Sequence, residues 1–231
     1  MRRAMLPLLL GLAVFALPLP AAAADDVPTV YLYVNDLASP HALVTTEARD
    51  IQDICFQVDL DTTAEIAVLI VNTTAPLGID AFAVRTFEVN GIGKSGQDNG
   101  VLILLSTDDR DWRIEVGYGL EGVLTDGFVG RVGREEMLPY VSAGDFYTGI
   151  YNATVAIGQK IVDEYEPGPG AHPPPRLIVI DWRTVAIGVA IFIVVSVITK
   201  GRVSLWVVGS IFKRGGFGGG RSGGGGASGR F

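Results

Sequence analysis

The chain has 231 residues, 48% of them hydrophobic, with 10 Phe, 7 Tyr and 3 Trp. That excludes disorder throughout and supplies a core without disulfide staples, while a formal net charge of −7 counts against a nucleic-acid binder. The charge is a cancellation: residues 1–24 carry +2, residues 25–166 carry 24 acidic against eight basic side chains, and residues 167–231 carry +7. An acidic body between basic ends is the asymmetry of a membrane-anchored protein with an exported domain.

Residues 1–24 open with Arg2 and Arg3, continue through an apolar run over 6–19 and end on four alanines. This is the pattern of a secretory signal peptide. The body, 25–166, reads as one extracytoplasmic α/β domain. A short strand is predicted over 30–34. Ala48, Ile51, Ile54 and Val58 then recur at helical spacing, with Thr45 or Thr46 as the N-cap and Glu47 in the first turn. Residues 65–71 and 101–105 are continuous apolar runs, the mark of strands covered on both faces. Between them, Phe82, Ala83 and Phe87 are spaced as on a helix over 80–89. A polar connection over 107–111 leads into an alternating strand, 112–116, and two helices are predicted over 128–137 and 147–165. The order β-α-β-α-β-β-α-α predicts a three-layer α/β/α sandwich around a mixed sheet.

Residues 167–176 are a stiff Pro/Gly linker. Residues 177–200 read as one transmembrane helix: the stretch from Trp182 to Thr199 would be about 27 Å long against a hydrocarbon core of about 30 Å. Lys200 and Arg202 after it place the body outside the cytoplasm and the tail inside. Residues 201–214 hold an apolar run too short to cross alone, expected at the interface. The tail, 215–231, has 10 Gly in 17 residues and is expected to be disordered.

Two groups of residues carry chemistry. Asp59-Leu60-Asp61-Thr62-Thr63 has the form of a phosphotransferase DxDxT motif, but that chemistry needs the first Asp at a strand end, whereas the spacing places it at a helix end. The second group is Asp98-Asn99, preceding the 101–105 strand, with Glu121 and Asp126, which follow its antiparallel partner. The start of one strand neighbours the end of the other in such a pair, so these side chains are expected at one edge. Three carboxylates and a side-chain carbonyl suit a hard cation, Ca²⁺ before Mg²⁺. The structural alternative is that Asp126 caps the helix at Phe128 and 98–100 is a turn. With two His and one Cys, Cys55, a zinc site is not expected, and Cys55 reads as a buried small hydrophobe.

At Val34-Asn35-Asp36-Leu37-Ala38, Asp98-Asn99-Gly100-Val101-Leu102, the run Arg113 to Glu121 (RIEVGYGLE), Leu124-Thr125-Asp126 and Gly144-Asp145-Phe146, the chain resembles the TPM domain family over about residues 30–165. The transmembrane helix and the glycine-rich tail ending Gly-Ala-Ser-Gly-Arg-Phe are similar to that family too. The resemblance implies a Rossmann-like sandwich, divalent-cation binding and, as in some plant members, acid phosphatase activity. It adds Asp36 to the metal candidates Asp98, Asn99, Glu121 and Asp126. A first strand parallel to 101–105 would, however, put Asp36 at the opposite edge, with Thr73 and Asp108 as an alternative group. The functional expectation is a binding or maintenance module for envelope or membrane proteins, tethered by one helix, using Ca²⁺ to shape a surface for a protein partner. A metal-dependent phosphatase is the alternative.

Overall fold

The computed structural model describes residues 27–168 and 218–231. The expected signal peptide over 1–24, the expected transmembrane helix over 177–200, the segment 201–214 and nearly all of the expected linker lie outside the described residues. Among the described residues no helix is long and apolar enough to cross a membrane.

The elements run β1 (Val34–Asp36), α1 (Thr45–Thr62), β2 (Glu65–Val71), α2 (Ile79–Asn90), β3 (Gly100–Ser106), β4 (Asp111–Gly117), α3 (Asp126–Arg131), α4 (Leu138–Val141), α5 (Phe146–Glu164) and β5 (Ser222–Arg230), with a 3-10 turn over Tyr118–Leu120 and a π-helical turn over Val132–Met137. They form an α/β sandwich around a five-stranded sheet of order β1-β2-β3-β4-β5. The first three strands are parallel, while β4 and β5 each join antiparallel.

The strand predicted over 30–34 starts only at Val34, because the Asn35 side chain accepts from the N–H groups of Tyr31 and Leu32 and folds that stretch back on itself. Neither Thr45 nor Thr46 caps α1. Val44 occupies the cap, and Glu47 reaches back to its N–H at 2.8 Å, which is half of a capping box. Every residue of β2 and of β3 is buried. On one face Ile66, Val68, Ile70, Val101, Ile103 and Leu105 meet Ile51, Cys55 and Val58 of α1 and Ile150, Ala153, Ile157 and Ile161 of α5. On the other, Ala67, Leu69, Leu102 and Leu104 meet Phe82, Ala83 and Phe87 of α2. Burial pushes the Cys55 thiol well above its ordinary range, so it packs as a hydrophobe.

The helix predicted over 128–137 is divided between α3 and the π-helical turn. Gly133 lies there against Trp112, whose ring would meet an added Cβ at 2.1 Å.

The largest departure is the tail. Residues 222–230, expected to be disordered, pair with β4 from Asp111↔Arg230 to Gly117↔Ser222, with a bulge at Val116/Gly117. Glycine gives no side-chain period to read, yet its main chain keeps one donor and one acceptor per residue, and β4 otherwise ends the sheet with an unpaired edge.

Candidate functional site

The edge of β4 collects most of the side chains singled out in the sequence, and it does so around β5. Asp98 sits in the turn before β3 with φ 51°, where its carbonyl takes the Gly119 N–H at 3.0 Å. Its carboxylate Oδ1 takes the Arg221 N–H at 2.9 Å. Asp126 opens α3, but the helix is capped by Thr125, whose side chain accepts from Phe128. Asp126 Oδ1 is thereby left to take the Gly226 N–H at 2.8 Å. Glu121 stands against Gly225, where an added Cβ would come within 2.8 Å of its Oε1. The three carboxylates therefore lie along the tail, two of them spent on its main-chain N–H groups, at Arg221 just before β5 and at Gly226 within it.

The remaining two candidates are engaged elsewhere. Asn99 is fully buried; its Oδ1 takes the Lys94 N–H at 2.9 Å, and its Nδ2 donates to Thr63 O and Gln97 Oε1. Asp36 is at the opposite end of the sheet: it pairs with Ile70, and Ile70 with Leu105, whereas Asp98 precedes β3. A seven-residue strand separates these ends by about 20 Å. There Asp36 closes its own loop, accepting from the N–H groups of Ala38 and Leu43 at 3.1 and 2.9 Å. The five residues expected to ligate one cation do not form one site. Among the described residues no group of three or more His, Cys, Asp or Glu side chains is arranged to hold a metal ion. The donor set does not fit the divalent cation that the resemblance implied.

The far-edge alternative is also used internally. Thr73 donates to Asp109 at 3.0 Å, and Asn72 reaches Asp108 at 3.4 Å. Asp109 accepts from the Ser106 hydroxyl at 2.7 Å and from the Thr74 N–H at 2.7 Å, bonds that hold its carboxyl below the ordinary carboxylate range.

Two further polar clusters stand apart from these candidates. On β4, Arg113 and Glu115 point to the α2 face. Arg113 clamps Glu115 Oε2 through Nε and Nη2 at 2.9 and 2.6 Å, reaches Asp80 of α2 at 3.0 Å and donates to Gly224 O at 2.8 Å. Glu115 is fully buried, and its other oxygen takes the Ser222 hydroxyl of β5. Burial pushes this carboxyl up, and the Ser222 and Arg113 bonds pull it back only in part. The second cluster joins Lys94 to Glu65 and Asp59, with Lys94 Nζ 3.0 Å from Asp59 and the Tyr33 hydroxyl donating to Asp59 at 2.6 Å. Lys94 also forms an isolated bridge with Gly219, so the ionic cluster and the tail share one residue. Glu65, the one charge in an otherwise apolar run, was the available signal for this cluster. Asp59 of the DxDxT form lies in α1, as its spacing required.

The end of the tail is anchored as well. Arg230 Nε reaches Asp111 at 3.0 Å, Arg110 donates to Phe231 O at 2.6 Å and stands 5.4 Å from its ring, and Phe146 meets that ring edge-on at 6.2 Å.

Residues 34–160 match the TPM domain. The chain belongs to the TPM domain family. Among solved structures, the N-terminal domain of a protein from P. gingivalis is 24% identical with a TM-score of 0.55, covering 64% of this chain and 96% of that one. The BA42 protein from the psychrophilic bacterium Bizionia argentinensis is 22% identical with a TM-score of 0.48, covering 54% of this chain and 84% of that one. No curated protein matches. The first of these likenesses supports the TPM fold and nothing finer. The family match ends at residue 160, so β5 lies beyond it.

Proposed function

We propose that this TPM domain is a protein-binding module rather than an enzyme, held at the outer face of a membrane by the apolar stretch 177–200, and that its recognition element is the edge of β4. One observation carries the reading: Asp98 and Asp126 each accept a main-chain N–H from an extended segment. Carboxylates used in this way read backbone, and strand addition to a sheet edge is an established mode of peptide recognition. A charge-assisted bond of this kind is worth about 1.5–3 kcal/mol when buried, and the exposed setting of both puts them at the low end. The acidic body then acts as a lining of acceptors for a strand, and its partner is an extended segment of protein.

The competing reading, a metal-dependent phosphatase, needs carboxylates that converge on one cation. The two are separated by full-length chain carrying Asp126→Ala. The binding-module reading expects hydrogen exchange across 222–230 to quicken about tenfold, for about 1.4 kcal/mol of lost docking. It also expects no hydrolysis of a generic phosphate ester and no calorimetric heat with Ca²⁺ or Mg²⁺ that depends on Asp126. Hydrolysis or cation heat that disappears in Asp126→Ala would overturn it.

A further inference from the structure

Strand β5 contains five glycines in nine residues, a composition that weakens a strand in isolation. Its glycines are of two kinds. At Gly226, with φ 131°, an added Cβ would lie 1.9 Å from the carbonyl oxygen of Ile114; at Gly220, just before the strand, it would lie 2.2 Å from that of Ile92. Both obstacles are main-chain atoms of the folded body and cannot swing aside. At Gly225 the nearest atom is the end of the Glu121 side chain, which can move, and the backbone there is not left-handed. The edge thus tolerates a side chain at one glycine and refuses it at two others.

A third position is read by chemistry. Glu115 is fully buried, and Arg113 satisfies one of its oxygens. The other faces Ser222, whose hydroxyl also lies 2.9 Å from Val116 O. Without a hydroxyl at 222, a buried carboxylate loses one of its donors. Apolar burial is the smaller part of the hold: Ser222 and Gly220 are the tail's buried residues among 218–231, and its apolar contacts with the core come from Ala227 and Phe231, both half-buried.

We propose that the β4 edge is a sequence-selective receptor for one class of ligand, an extended segment of the form Gly-x-Ser-x-Gly-x-Gly, with residues 218–231 of this chain as its resident occupant and the middle glycine required by the φ of 85° at Gly224. This rests on reading the edge as a strand acceptor and adds which strand it accepts. The selectivity is steric at 220 and 226, conformational at 224 and hydrogen-bonded at 222. The hold is main-chain and polar, so the occupant is replaceable by an identical segment supplied in trans.

The test uses full-length chain carrying Gly226→Ala, with exchange protection of β3 amides confirming its fold, and a fluorescent synthetic peptide of residues 218–231. The tail of this variant should lose exchange protection over 222–230. The wild-type and Gly225→Ala peptides should then bind within about threefold of each other by anisotropy, whereas Gly220→Ala, Gly226→Ala and Ser222→Ala peptides should bind at least tenfold more weakly. Wild-type chain with excess peptide, exchanging its own tail, should give the same ranking. Equal binding by all five peptides would overturn the selectivity and leave strand acceptance standing. Persistent protection of 222–230 in the variant would overturn the glycine requirement. An unprotected tail with no peptide bound at any concentration would sink strand acceptance itself.

Discussion

Strands β3 and β5 flank or continue the same ladder on either side of β4, and they are held there by opposite means. All seven residues of β3 are buried, and its Val101, Ile103 and Leu105 reach the core under α1 and α5 while Leu102 and Leu104 reach the one under α2. Strand β5 offers the sheet its main chain, the Ser222 hydroxyl, the Arg230–Asp111 pair and a half-buried Ala227, and five of its nine positions carry no side chain. The first kind of strand is stabilised by apolar area and comes apart only with the domain; the second is stabilised by hydrogen bonds at an edge and can leave alone. Stability and recognition are in this way assigned to different sides of one strand.

The largest blow to the comparison falls on the side-chain-held strand. Ile103→Ala should cost about 3–4 kcal/mol in urea unfolding, as a fully buried large-to-small change does, and tail and body should then lose protection together. Lys94→Ala sharpens the contrast, because Lys94 Nζ serves Glu65 and Asp59 while its backbone bridges Gly219. Removing one partner of a buried ion pair costs about 3–5 kcal/mol, and the partial exposure of Lys94 lowers the expectation to about 2–3 kcal/mol. Here the urea midpoint should fall and exchange at 218–220 should quicken in parallel. Ser222→Ala should act on the edge strand alone, releasing 222–230 by about 1–2 kcal/mol in native-state exchange while the global midpoint moves little.

The smallest effect concerns pH. The Asp109 carboxyl is held below its unfolded value by Ser106 and Thr74, so its contribution is present above the ordinary aspartate pKa of 3.8 and is lost as pH falls through the depressed folded value. Between pH 5 and pH 2.5, wild-type melting temperature should therefore fall more steeply than that of Asp109→Asn, with no difference in the protection of β5. A difference confined to β5 would show that the two ends of the sheet are coupled.

What the sequence disclosed follows the same division. The runs EIAVLIV and GVLILLS announced β2 and β3 because a strand buried on both faces must be apolar at every position. Asp98, Glu121 and Asp126 were correctly gathered at one edge, since the antiparallel pairing of β3 with β4 dictates it, and the parallel β1 correctly set Asp36 apart. What they bind is not legible in the sequence, because a carboxylate does not name its partner: a cation and a row of N–H groups satisfy it alike. Strand β5 was illegible for the reason that makes it fit. Period-two alternation needs side chains, and the tight approach of Ile114 O to Gly226 forbids one.

Ladder hydrogen bonds join strands about 4.8 Å apart, and no strand pairs through a bilayer. For as long as residues 222–230 lie on their own β4, the body and the tail share one compartment. The single crossing with a cytoplasmic tail, expected from Lys200 and Arg202, does not coexist with that pairing. An impermeant thiol reagent applied to intact cells bearing Ser228→Cys would report which arrangement the chain keeps, because its one native cysteine, Cys55, is buried. Docking of the tail thus also bears on topology: with β5 in place, residues 27–168 and 218–231 lie on one side of any membrane.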